Sequence, residues 1–234
     1  MFGFGKKKAD DEGISRLASL LQDYPAATPP FPLSNGASKQ PNITVMTPEQ
    51  ALANLEWHKD AMPRRLALLA NLLAEFGLDI DDAWSVRRRE AMLAARDALL
   101  VKEFRRVANH QTTDADVWDS SDRAGTLIVH SLLHDLAMLD QEMFIRAIPG
   151  AYVGLNTDKR DREMTGYMRP TLKGIVNRRS PQVHFAFDHA EAWFSFFRLA
   201  AVGSSALQPF SLLGRRVIQD LDRAIRDPVA KAGQ

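Results

Sequence analysis

The segment from Asp122 to Ile148, DRAGTLIVHSLLHDLAMLDQEMFIRAI, is the longest apolar-rich stretch of this chain without an internal proline. Read as a helix, it carries leucine, isoleucine, valine, methionine and phenylalanine on more than one face. A helix that is apolar nearly all round is normally a central, buried one. Asp122 can cap its N-terminus, Glu142 and Arg146 form an i,i+4 pair near its end, and Pro149-Gly150 stops it. The rest of the chain is expected to pack around it, giving an all-α fold: a single bundle-like domain of about six helices with a proline-rich N-terminal extension.

Residues 1–46 read as that extension or linker. Ile14, Leu17, Leu20 and Leu21 suggest one short helix, after which Pro25, Pro29, Pro30, Pro32 and Pro41 exclude regular structure. This predicts a strap lying on the surface, outside the cooperative core. The helical domain is expected over 47–227, followed by a tail over 228–234. It opens on Thr47-Pro48-Glu49-Gln50, which combines an N-cap, proline at the first helical position and a capping-box glutamine. Pro63 should kink this helix or divide it into a hairpin, with Gly77 as the stop. Asp81 or Asp82 is expected to cap a long third helix reaching about Asn109, with Trp84, Met92, Leu99, Phe104 and Val107 inward and Arg87, Arg88, Arg89 and Glu90 facing water. Residues 110–121 form a polar loop, and 151–180 show little periodicity. An aromatic-rich helix then runs from Ser180-Pro181 to about Val202, and a last one follows Pro209. No strand is expected.

The formal charge of +1 gives no global field toward nucleic acid, so any basic site must be local. The absence of cysteine excludes thiol catalysis, disulfides and cysteine-held zinc, and it fits a reducing, cytoplasmic location. No apolar run is long enough to span a membrane. Phe2 and Phe4 beside Lys6, Lys7 and Lys8 allow peripheral contact of residues 1–8 with an anionic surface.

Charge is concentrated in one place. Between Lys159 and Arg179 stand seven basic residues (Lys159, Arg160, Arg162, Arg169, Lys173, Arg178 and Arg179) against Asp161 and Glu163. Tyr152, Tyr167 and Met168 supply apolar anchors nearby. Guanidinium groups and lysines in such density suit a carboxylate- or phosphate-bearing surface. The segment, with Tyr167, is the candidate binding site; a solvated loop is the alternative reading. The partner it implies is a protein or a phosphate-bearing ligand, with nucleic acid less favoured.

Three histidine-containing patterns are candidates for other chemistry. His130 and His134 lie roughly 40° apart on one helical face, a spacing that two metal-bound imidazoles can share and that two hydrogen-bonded core histidines share equally. Asp135 is turned about 100° from His134, toward Glu142 and Arg146, where it would face solvent. His184, Asp188, Glu191 and Ser195 form one stripe, which is most simply the wet side of a helix whose aromatic residues are core.

The words SLLHDLA resemble the helix bearing the paired His-Asp of the HD-domain metal phosphohydrolases. That resemblance implies an all-helical metalloenzyme in which His134 and Asp135 are the pair, His110 the first histidine ligand and Asp188 the last aspartate. A divalent metal ion would then activate water. Read from the residues alone, the expectation is instead a non-enzymatic helical binding or assembly protein, without a cofactor, engaging another macromolecule through 159–179 and the N-terminal extension.

Overall fold

The computed structural model describes residues 15–32, 46–108, 123–158, 166–175, 189–203 and Gln219. Five helices occur among them: α1 (Arg16–Gln22), α2 (Pro48–Ala74), α3 (Arg89–Val107), α4 (Ile128–Ala147) and α5 (His189–Ala201). Two short strands, β1 (Tyr152–Leu155) and β2 (Pro170–Lys173), interrupt the helical order. Among the described residues the fold is helical apart from this small hairpin. The helix expected after Pro209 lies outside the described residues apart from Gln219, which is helical and exposed.

Helix α4 is the centre: 16 of its 20 residues are buried, and α1, α2 and α5 all pack on it. Leu132, Leu133, Leu136, Met138, Leu139 and Met143 point in several directions and all are covered, as an all-round apolar sequence demands. Its start differs from expectation. Asp122 lies outside the described residues, and the helix begins at Ile128 after a 3₁₀ turn at Gly125–Leu127, with no side-chain cap. The end is as read: Arg146 Nε donates to Glu142 Oε1 at 2.7 Å, and Gly150 takes a φ of 91°.

Helix α2 opens with the expected reciprocal capping box, Gln50 N–H to Thr47 Oγ1 and Thr47 N–H to Gln50 Oε1. It then runs through Pro63 as one helix rather than two. Pro63 and Lys59 both face solvent, so the Lys59 carbonyl that loses its partner at Pro63 can be hydrated. Leu55, Met62, Leu66, Leu69 and Leu73 stay in register in the core on both sides of it. Gly77 ends the helix in a left-handed conformation (φ 73°), its N–H donating to Ala74 O while Leu78 N–H reaches Leu73 O.

The third helix starts later than expected. Asp81 and Asp82 lie in a 3₁₀ turn, Ile80–Trp84, capped by Asp79, and α3 begins at Arg89. Arg89 does not simply face water: its Nε donates to Ala83 O at 2.8 Å and so ties the turn to the helix. Met92, Phe104 and Val107 are core as read, joined by Leu93 and Leu100, whereas Leu99 is half-buried.

Two expectations fail clearly. The strands were not legible because each is four residues long, one contains a glycine and the other begins with proline, both unfavourable in strands. Their antiparallel register sets Tyr152 against Lys173 and Val153 against Leu172, and buried Val153 and Leu172 join the main core. Met46, Ala51 and Met168 form a second small cluster, with Leu155 and Tyr167 against it, where the hairpin meets the start of α2. The N-terminal extension, in turn, is not all surface strap. Leu17 and Leu21 of α1 and Tyr24 belong to the main core. Ser15 caps α1, and Glu103 of α3 accepts the Leu17 N–H at 3.3 Å. Beyond Gln22 the chain runs without regular structure to Pro32 across α2 and α4.

Candidate functional site

The hairpin holds Asn156 and Tyr167, which flank residues 159–165 in sequence, side by side. Asn156 bridges to Tyr167, and its carbonyl accepts the Met168 N–H at 2.8 Å. Met168 takes a positive φ of 62° there, so the chain turns sharply into β2. At the other end Gly174 (φ 80°) lies against the helix stop: a Cβ would fall 1.9 Å from Gly150 O. Only glycine fits.

The candidate binding residues fall into three groups. Lys159, Arg160, Arg162, Arg178 and Arg179 lie outside the described residues. Lys173 is half-buried, and it and Tyr152, which is 54% exposed, are cross-strand partners whose side chains both reach over Gly154. Arg169 and Met168 contradict the reading of them as surface contacts. Arg169 is 5% exposed and faces Glu191 of α5 at 3.6 Å, and Met168 is 6% exposed in the second cluster. Tyr167 is half-buried beside it. Met168 and Arg169 are enclosed because they lead into β2 where the hairpin meets α2 and α5.

His58, His134 and Asp135 occupy a polar layer between α2 and α4. Asp135 does not face solvent: it is wholly buried and accepts from Arg65 Nε at 2.7 Å and Arg65 Nη2 at 2.6 Å. Tyr24 Oη donates to the same carboxylate at 2.5 Å. Burial pushes the Asp135 carboxyl up to about 6, against the opposing pull of Arg65 and Tyr24. Burial, with Asp135 beside it, also raises the Tyr24 hydroxyl, which stays protonated as a donor.

His134 points instead to His58 on α2, Nε2 to Nδ1 at 3.2 Å, and His58 Nε2 meets Gln141 Oε1 at 2.8 Å. The amide oxygen can only accept, so the proton of His58 sits on Nε2 and its Nδ1 accepts from His134. Two neutral imidazoles satisfy this chain. Burial agrees, holding His58 down to about 4 and His134 well below its ordinary value. Trp57 covers His134, with ring centroids 5.5 Å apart. His130, also fully buried, stands edge-on to Phe194 of α5 and does not join His134 in this chain.

A second polar layer links α3, α4 and α5. Arg96 donates to Asp97 and to Asp140, each at 2.9 Å, while Trp193 Nε1 donates to the other Asp140 oxygen at 2.9 Å. The guanidinium lies 4.7 Å from the centroid of the Trp193 ring. Burial raises the Asp140 carboxyl, and Arg96 and Trp193 oppose it. Sequence reasoning missed Arg65, Arg96, Asp97, Asp140 and His58. The available signal was an ionisable residue at core spacing: Arg65 beside Leu66, Arg96 between Leu93 and Leu100.

For the alternative metal set, His134 and Asp135 diverge to different partners, while His110 and Asp188 lie outside the described residues. Among the described residues no three His, Asp or Glu side chains gather as a metal-holding group. Of the α5 stripe, Glu191 faces Arg169, Ser195 is exposed, and His184 and Asp188 are outside the described residues. Trp193, Phe194, Phe196 and Phe197 are core, as read. Among the described residues no helix is long and apolar enough to cross a membrane. No protein-family model, no curated protein and no solved structure matches this chain.

Proposed function

We propose that this is a non-enzymatic helical binding protein that engages an acidic or phosphate-bearing partner surface through the basic segment 159–179, which its β-hairpin carries. The observation that carries the reading is the hairpin itself. Its paired strands anchor Asn156 and Tyr167, the two ends of a stretch containing Lys159, Arg160 and Arg162, to a rigid helical body. Tyr152 stands half out of the surface beside Lys173, and an exposed tyrosine is the kind of side chain that anchors an interface. The polar interior supports a structural role for His134 and Asp135, which hydrogen-bond to His58, Arg65 and Tyr24 inside the fold.

Arg169 drops out of the contact set because it is buried against Glu191. The test therefore reverses Lys159, Arg160 and Arg162 to glutamate and measures binding of fluorescent poly-glutamate and of polyphosphate at rising salt. Single exposed pairs are worth only about 0.2–1 kcal/mol, so the three together set the scale. Wild type should bind with a steep salt dependence, and the triple variant should lose both the binding and the slope while remaining helical. Equal binding by the two proteins at low salt would reject the reading.

A further inference from the structure

The segment from Tyr24 to Pro32 lies in the groove between α2 and α4 as an extended peptide lies in a receptor. Its backbone is read by side chains of the groove. Arg65 Nη1 donates to Pro25 O at 2.7 Å, and Ser131 Oγ accepts the Ala27 N–H at 2.8 Å. Asn54 binds Phe31 at both ends of the residue, Oδ1 accepting its N–H at 3.0 Å and Nδ2 donating to its carbonyl at 3.2 Å. Tyr24 fills the head of the groove, its hydroxyl on Asp135 and its ring 5.3 Å from the Arg65 guanidinium. Tyr24, Ala27 and Pro29 are buried, whereas Pro25, Thr28, Pro30 and Pro32 are exposed. The strap is thus one chain thick, with one side in the groove and one in water.

This is an unusual way to close a core. A cover that served only stability would do better with apolar contacts, because a buried Arg–Asp pair stabilises less than well-packed hydrophobic residues of similar volume. Polar contacts do something else. They fix the register of an irregular chain, and when it leaves, Arg65, Asp135, Ser131 and Asn54 can be hydrated. Prolines pre-set the extended backbone and lower the entropy of docking it.

We infer that the α2/α4 groove is a peptide-binding site, occupied in cis by Tyr24–Pro32, and that it accepts in trans an extended, proline-containing peptide in which tyrosine directly precedes proline. The tyrosine is selected by the Arg65–Asp135 pair, the chain direction by Ser131 and Asn54. The cis segment then sets the affinity, since a competing peptide meets the groove only in the fraction of molecules whose strap is displaced.

The test uses the full-length protein and a labelled synthetic peptide spanning Asp23–Pro32, followed by fluorescence anisotropy. Ala27→Pro removes the N–H that Ser131 accepts and weakens the cis strap without touching the groove. Tyr24→Phe removes the hydroxyl that Asp135 accepts while keeping the ring, and remains usable if the first variant folds poorly. Both strap variants are expected to bind the peptide at least about tenfold more tightly than wild type. A peptide carrying Tyr24→Ala should lose most of its binding to every one of them. Absence of peptide binding to both strap variants, or binding indifferent to the peptide's tyrosine, would overturn the inference. Neither result depends on the basic hairpin.

Discussion

Breaking the buried pair between Arg65 and Asp135 should be far more harmful than replacing it whole. Both side chains are at most 1% exposed and meet through two hydrogen bonds of 2.6 and 2.7 Å. In Arg65→Met, the Asp135 carboxylate keeps only Tyr24 and must either stay charged in a dry site or take up a proton. Removing one partner of such a pair costs about 3–5 kcal/mol. At about 2–4 °C per kcal/mol for a chain of this size, Tm should fall by roughly 6–20 °C. Asp135→Leu should be similar, leaving the guanidinium with Pro25 O alone. The double variant Arg65→Met/Asp135→Leu should recover much of the loss, so that a double-mutant cycle from urea unfolding shows a coupling of at least about 2 kcal/mol. Tyr24→Phe should cost about 1.5–3 kcal/mol in wild type, as a hydrogen bond to a charged group, and much less in the double variant. Single variants that cost under about 1 kcal/mol, or losses that simply add, would refute the claim that this pair is a sealed unit under the strap.

Other outcomes follow from the same interior. His58 is held neutral, its folded value near 4 lying below the ordinary 6.5. Its contribution is thus complete above pH 6.5 and is lost as pH falls toward 4. Wild type should lose about 2–3 kcal/mol more than His58→Gln between pH 7 and 4.5, read by urea unfolding at each pH; parallel curves would contradict this. The raised Asp135 works in the opposite sense, adding stability as pH falls from about 6 toward 3.8, but it does so in both proteins and cancels in the comparison. Trp193→Phe keeps the ring over Arg96 but removes the donor to Asp140, and should cost about 1.5–3 kcal/mol in thermal or urea unfolding. Gly174→Ala should unseat the hairpin, because the new Cβ would meet Gly150 O; faster amide exchange at Val153 and Leu172 than in wild type is the expected sign.

How far the sequence was readable depended on how local each signal was. The capping box at Thr47, the stops at Gly77 and Gly150 and the all-round apolar character of α4 are short-range patterns, and they appear where the residues put them. The hairpin did not show, because a Gly-containing and a Pro-initiated strand of four residues acquire their meaning only from pairing across the turn and packing on α2. The strap was misjudged for the reverse reason. Its prolines do exclude regular hydrogen bonding, but Arg65, Ser131 and Asn54 supply side-chain partners that sequence distance hides. Asp135 illustrates the limit of face arithmetic. Its angular position beside Glu142 suggested solvent, and only the arrival of α2 and the strap on that face buried it. Arg169 was misread similarly, since nothing in a basic run tells which member turns inward to meet Glu191.

The proposal that the hairpin is the docking surface is tested most directly by amide hydrogen exchange of the full-length protein with and without saturating poly-glutamate at low salt. The expected result is slowed exchange confined to residues 152–173, lost when Lys159, Arg160 and Arg162 are reversed. Protection that spares the hairpin and falls on another face, or that persists unchanged in the reversed variant, would contradict it.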